Sequence, residues 1–185
     1  TVIGFPVVDA AEPYGGLRYA EQFIKDWKGH HLVTPAVAPH APYTVSPEWL
    51  RKSRELAERE GVPLLMHIAE MRNERELIAA NTGPIPEDRS IIEYLDDIGF
   101  LSDKLVAAHV SHVDDDDIAL LRQRGVGVAH NPKANSRATS GQSPAWRMLE
   151  AGVDIISPGC AVSPKCPNAN LQAMAAAEKK WHAGR

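Results

Sequence analysis

PLLMHIAE, Pro63 to Glu70, begins as a short apolar strand and stops on His67, with a carboxylate three residues further on. The same arrangement recurs along the chain. LVTPAVAP (Leu32 to Pro39) runs into His40, LVAA (Leu105 to Ala108) into His109, and VGVA (Val126 to Ala129) into His130. A further run, VDIISPG (Val153 to Gly159), ends on Cys160 instead. Short apolar runs that alternate with helical stretches are the mark of βα units around a parallel sheet. In a (β/α) barrel the chemistry sits at the C-terminal ends of the strands, so side chains at this register converge. Neutral imidazole is the commonest side-chain ligand for a transition metal, and four at one register point to a metal-dependent hydrolase.

Working outward, VIGFPVV (Val2 to Val8) reads as a buried strand and Pro13 to Trp27 as a helix with Leu17, Ala20, Ile24 and Trp27 on one face. Ser46-Pro47 opens a helix that Gly61 stops, a cap followed by proline at the first helical position. Helical stretches follow at Asn73 to Ala80 and around Ile91 to Ile98. Asp114 to Asp117 open another helix, where carboxylates meet the positive end of its dipole and read as a solvated cap, not a cation site. After His130 the chain reads as a loop, then a Ser143-Pro144 capped helix ending at Gly152, a strand Val153 to Ser157 and a last helix, Leu171 to Trp181. The fold class expected is α/β: a partial (β/α) barrel of the TIM type, about six parallel strands alternating with helices in one domain over residues 1–185. Six strands cannot close an ordinary eight-stranded barrel of about 250 residues. Exposed edges at Val2–Val8 and Val153–Ser157 would then favour self-association. An open, doubly wound sheet is the alternative, although no Gly-rich phosphate loop supports a nucleotide-binding version.

The 185 residues are 44 % hydrophobic and 24 % charged, with a formal charge of -4. That balance gives no support to a nucleic-acid or anionic-membrane partner. No run approaches the roughly 20 apolar residues of a membrane span. Two cysteines, Cys160 and Cys166, argue for a reducing, cytoplasmic setting rather than a disulfide scaffold.

At MHIAE the chemistry can be written residue by residue. A metal on His67 would bring the pKa of its water near 7. Glu70 could take that proton and deliver it to a leaving nitrogen, while His109 orients the hydroxide. APHAPYTVS (Ala38 to Ser46), MHIAE (Met66 to Glu70), LVAAHVSHV (Leu105 to Val113), GVGVAHNPKAN (Gly125 to Asn135), Ser140-Gly141 and RMLEAGV (Arg147 to Val153) resemble the amidohydrolase superfamily. The subgroup they are most similar to is the 5-methylthioadenosine/S-adenosylhomocysteine deaminases. The resemblance covers roughly residues 1 to 153 and implies a zinc-dependent deaminase barrel of which this chain supplies strands three to eight. It implies His67 as a metal ligand, Glu70 as the proton shuttle that also touches the purine, and His109 as the group that polarises the hydroxide. His40 would contact the small-molecule substrate, with His130 and Asn131 shaping its pocket.

The family's His-x-His pair has no counterpart here, and its last-strand metal-binding Asp aligns with Cys160. Turnover by this chain alone is therefore expected to be lost. DIISPGCAVSPKCPNANLQAM (Asp154 to Met174) resembles instead the C-terminal strand and helix of the uroporphyrinogen decarboxylase superfamily, specifically its cobalamin-dependent methyltransferases. That likeness implies Cys160 as a zinc-binding thiolate. It leaves a non-catalytic chimera and a zinc-thiolate methyltransferase-like protein as the other functional classes.

Overall fold

In the computed structural model, the described residues are 1–9, 16–138 and 140–156, with Ala169, Gln172, Ala173 and Ala176 as isolated helical positions. Among them the strands are β1 (Val2–Val7), β2 (Thr34–Pro39), β3 (Leu64–Ile68), β4 (Leu105–His109), β5 (Gly127–Ala129) and β6 (Ile155–Ile156). They pair in parallel, in one sheet whose spatial order is the chain order. That order decides between the two expected architectures. Parallel crossovers are right-handed, so a sheet that never reverses its strand order carries all its crossover helices on one face. A doubly wound sheet requires a reversal, and none occurs here. The sheet is singly wound, as in a barrel wall.

The helices are α1 (Leu17–Trp27), α2 (Pro47–Glu60), α3 (Glu74–Asn81), α4 (Ile91–Asp97), α5 (Asp115–Gln123), α6 (Pro132–Ala138) and α7 (Ala145–Glu150). Strand side chains alternate between faces, and burial follows the alternation. Leu64, Met66 and Ile68 of β3 and Leu105 and Ala107 of β4 are buried against the helix layer. Leu65, His67, Val106 and Ala108, pointing the other way, are only half-buried. The helix side holds the continuous core, with Ile24, Leu50, Leu56, Ile78, Ile92, Leu95 and Leu121 packed on the sheet. The opposite face is a concave wall lined largely by small side chains. Gly4 serves it by close approach, since a Cβ there would sit 2.5 Å from that of Ala38.

Most capping signals act as their sequence suggests. Ser90 and Asp114 each close a reciprocal capping box at the starts of α4 and α5, so the acidic run is a cap, as read above. Gly61 ends α2 at φ 66°. Ser46 does precede Pro47 at the start of α2, but its side chain makes no capping bond; its backbone N–H donates instead to Asp9 Oδ2 at 3.0 Å. The segment after His130 differs most from expectation. Pro132–Ala138 is helical, where the sequence reads as loop. This short helix has no apolar stripe, and its one buried side chain is Asn135, so hydrophobic periodicity has nothing to detect. Ser143–Pro144 shifts outward by one residue, with Pro144 at the N-cap of α7. Cys160, Cys166 and most of the expected last helix lie outside the described residues. No helix of the described residues is long and apolar enough to cross a membrane.

One-sided burial makes a direct prediction. Ile68 is fully buried, so Ile68→Ala should cost about 2–5 kcal/mol through lost contacts and a residual cavity. Leu65, on the concave face, should cost less than about 1.5 kcal/mol as Leu65→Ala, because only part of its surface leaves water. Urea melts with unchanged m-values would measure both; equal costs would mean that the concave face is as closely covered as the helix face.

Candidate active site

The parallel register between β3 and β4 sets His67 beside Ala108, and Ile68 beside His109. His40 follows β2 directly, and its carbonyl accepts from His67 N–H at 3.0 Å. Three imidazoles therefore stand in a row at the C-terminal end of the sheet. Ring centroids are 5.2 Å apart for His40 and His67, and 5.4 Å for His67 and His109.

Hydrogen bonding gives all three rings the same tautomer. His67 Nδ1 lies 2.8 Å from the His40 carbonyl oxygen, which can only accept, so Nδ1 carries the proton. His40 Nδ1 lies 2.9 Å from Thr44 Oγ1, whose own proton goes to the Ala41 carbonyl. His109 Nδ1 lies 2.6 Å from Asn135 Oδ1, and the amide orientation is set by Asn135 Nδ2 donating to Ser111 Oγ at 2.9 Å. Each neutral ring thus has its lone pair on Nε2, the arrangement that a backbone or amide partner imposes on metal-ligating and catalytic histidines. His112, just beyond β4, has the opposite tautomer, with Nε2–H donating to the Ser140 carbonyl at 2.7 Å. Gly141 allows that approach: at φ 96° a Cβ would meet the His112 ring at 3.0 Å.

Glu70 leaves the end of β3 and brings Oε1 to 3.6 Å from His109 Nε2. Two groups that both accept in their neutral-imidazole and carboxylate forms face one another there, a geometry suited to a proton or a polarised water between them. The turns that achieve it use backbone that ordinary residues avoid. Ala69, His109 and Val110 have φ of 50°, 75° and 46°, and such residues cost on the order of 1–3 kcal/mol each where the surroundings hold them. A buried carboxylate holds the first of these turns. Glu74 accepts from Ala69 N–H at 2.8 Å through Oε1, and from Glu70 and Met71 N–H at 2.7 and 3.2 Å through Oε2. Burial pushes the Glu74 carboxyl above its ordinary range, against the opposite pull of those three bonds.

The concave wall beside His40 and His67 forms a cleft of about 310 Å³, at the lower end of ligand-site volumes. His40, His67, Ala38, Ala108, Ala129 and Asn131 contribute to its lining. A larger groove of about 420 Å³ lies between α1 and α2, lined by Arg18, Glu21, Lys52 and Arg59, and includes none of the histidines. Asn131 is 1 % exposed, yet neither atom of its carboxamide has a hydrogen-bond partner. A buried amide in that state costs free energy unless a ligand or water answers it. At the β5 end it is Asn131, not its neighbour His130, that lines the cleft. Tyr43 sets its ring edge against His40 at 5.9 Å. Its hydroxyl is pushed up first by burial and then by the carboxylates of Glu70 and Glu74.

Of the residues singled out in the sequence, His40, His67, Glu70, His109 and Asn131 come together. Cys160 lies outside the described residues. Sequence reasoning missed Asn135, Ser111, Thr44 and Glu74, which hold His109, His40 and the backbone at Glu70 by hydrogen bonds. Only Glu74 had a legible signal, four residues beyond Glu70 at the first position of a helix. As a metal site the set is incomplete. His67 has the ligand tautomer, but no group of three or more His, Cys, Asp or Glu among the described residues could hold a metal ion.

Comparison with known proteins gives this geometry a family. The model of the amidohydrolase family matches residues 2–176, which includes most of the tail likened above to a decarboxylase. A 5-methylthioadenosine/S-adenosylhomocysteine deaminase of Syntrophobacter fumaroxidans is 40 % identical over 167 residues, covering 86 % of this chain and 37 % of that relative. A 5'-deoxyadenosine deaminase of Methanopyrus kandleri is 42 % identical over 132 residues, covering 70 % of this chain and 30 % of its own length. Among solved structures, an adenosine deaminase from Xanthomonas campestris with bound zinc superposes with a TM-score of 0.75 at 29 % identity, covering 84 % of this chain and 35 % of that one. The chain spans about a third of the length of these proteins.

Burial holds the His130 imidazole below its ordinary range. A histidine whose folded pKa is depressed contributes stability that is present above the unfolded value of about 6.5 and is lost as pH falls through the folded value. The thermal midpoint should therefore fall as the pH is lowered below about 6.5, and His130→Gln should make that slope shallower. An unchanged slope in the variant would show that His130 does not carry it.

Proposed function

The chain belongs to the amidohydrolase family, and on that footing we propose that its strand-end site is built for hydrolytic deamination of an adenine-type nucleoside, methylthioadenosine or S-adenosylhomocysteine in kind. The observation that carries this reading is the alignment of His67, Glu70 and His109 across the ends of two adjacent strands, with Glu70 Oε1 3.6 Å from His109 Nε2. His67 would hold zinc through Nε2. Its remaining ligands would come from beyond the described residues, and Cys160 is the candidate among them. What supports that assignment is chemical: thiolate and imidazole share tetrahedral zinc readily. Zinc, when bound, supplies Lewis acidity.

The rest falls to the chain's own groups. His109 Nε2 accepts a hydrogen bond from the attacking water and fixes its direction. Glu70 takes a proton from that water and returns it to the leaving nitrogen, one carboxylate serving as base and then acid. The unanswered carboxamide of Asn131 offers one donor and one acceptor to the edge of a heterocycle, the pairing that amides make with adenine. His40 Nε2 accepts from a substrate hydroxyl or amine. A second reading, a scaffold that binds without turnover, is favoured by the lack of a three-donor metal group among the described residues. The near absence of cysteine fits a reducing, cytoplasmic setting for either.

Zinc retained after dialysis should be low in the wild type and lower in His67→Ala; equal zinc in both would remove His67 from the site. Methylthioadenosine should shift the NMR signals of His40, His67 and Asn131, without measurable ammonia release from this chain alone. Shifts confined to other residues would sink the substrate assignment. Ammonia release abolished by Glu70→Gln would instead establish a complete catalytic site. The outer edge of the sheet makes one more prediction. Val2 and Ile3 on β1 are 49 % and 42 % exposed, which favours pairing through that edge. Sedimentation should show concentration-dependent dimers, and a monomer at all concentrations would count against edge pairing.

A further inference from the structure

We propose that Glu74 is a positioning residue: its buried carboxylate fixes the backbone of residues 69–71 and thereby the place of the Glu70 carboxylate in front of His109. The proposal deepens the deaminase reading, in which Glu70 is the proton shuttle, but the geometry behind it stands by itself. Glu74 is 0 % exposed, and its charge is answered by backbone rather than by a cationic side chain. Three consecutive N–H groups at 2.8, 2.7 and 3.2 Å are shared between its two oxygens. A carboxylate gathering successive amides is a strong, charge-assisted arrangement that fixes direction as well as distance.

The peptide it grips is the hinge of the site. Ala69 is left-handed at φ 50°, a conformation that persists in a non-glycine residue only where the surroundings over-determine it. Those surroundings can be named. Its N–H goes to Glu74, and its carbonyl accepts from Ser111 and His112 N–H at 2.9 and 3.1 Å. One residue therefore ties the exit of β3 both to the first turn of α3 and to the exit of β4. Glu70 is the next residue, and its own N–H is held by the same carboxylate. With both flanking peptides fixed, the direction in which the Glu70 side chain leaves the backbone is set, and from there it brings Oε1 to 3.6 Å from His109 Nε2. Glu74 touches no reacting atom; its hold on Glu70 runs through these backbone bonds.

Substitution by glutamine separates positioning from bulk stability. Glu74→Gln keeps the shape but turns one oxygen into an N–H donor facing an N–H donor, so at least one of the three bonds is lost. The measurement is a double-mutant cycle read by NMR on the His109 ring in the full chain, without metal or substrate. Glu70→Gln should shift the His109 ring signals in the wild-type background. In the Glu74→Gln background the same substitution should shift them by less than half as much. A purely structural role would lower the melting temperature of Glu74→Gln and leave the Glu70-to-His109 perturbation unchanged; that result would overturn the proposal. If Glu74→Gln does not fold, wild-type amide exchange decides. The N–H groups of Ala69 and Glu70 should exchange at least about tenfold more slowly than those of Arg72 and Asn73 in the same turn. Equal rates would overturn it too. Neither readout depends on zinc or turnover, so a chain that deaminates nothing leaves the test of Glu74 intact.

Discussion

The parallel register of β3 against β4 is the constraint on which the rest of the molecule rests. It sets Ile68 beside His109 and His67 beside Ala108, which brings two distant segments of the chain to one strand end. Because side chains alternate along a strand, a slip of one residue would turn His67 into the helix layer. The buried run Leu64, Met66, Ile68 on β3 and its partners Leu105 and Ala107 on β4 prevent that slip. Fixing the core face of the sheet fixes the face of His67 with it, while His109, at the parity of buried Leu105 and Ala107, reaches the strand end through its left-handed backbone at φ 75°.

The second constraint is tautomeric. Thr44, the His40 carbonyl and Asn135 each accept from an Nδ1–H, so three rings carry their proton on the same nitrogen. Rings without such partners would exchange tautomers and rotate, and no concerted proton transfer could rely on them. This polar scaffold has a cost. It places left-handed backbone at Ala69, His109 and Val110 and a buried carboxylate at Glu74. Buried polar networks of this kind hold together only when their members are satisfied. Asn131, whose carboxamide atoms are buried without a partner, is where that network is left open among the described residues.

Much of the α/β architecture was legible because parallel strands covered by helices are written in strong local signals. Apolar runs ending on His40, His67, His109 and His130 marked β2 to β5 to within a residue or two, and Pro47, Gly61 and Asp114 mark helix ends. Where signals were weak, so was the reading. The helix α6 escaped because seven residues with a single buried side chain carry no periodicity, and Ser46 was assigned a capping bond that its hydroxyl does not make.

By itself the sequence determined which chemical groups stand at strand ends, since a histidine that terminates an apolar run can occupy few other places in a βα unit. It also determined the helix face of the sheet, where burial demands hydrophobic residues in alternation. Only the tertiary structure decided the direction of winding, because strand order is a relation between distant segments that no local window contains. It alone decided, too, which nitrogen of each imidazole carries the proton and that Glu74 reaches back to hold the backbone at Glu70. Those facts depend on hydrogen bonds between groups such as His109 and Asn135, 26 residues apart, and a bond of that kind exists only once the fold has brought its two ends within about 3 Å.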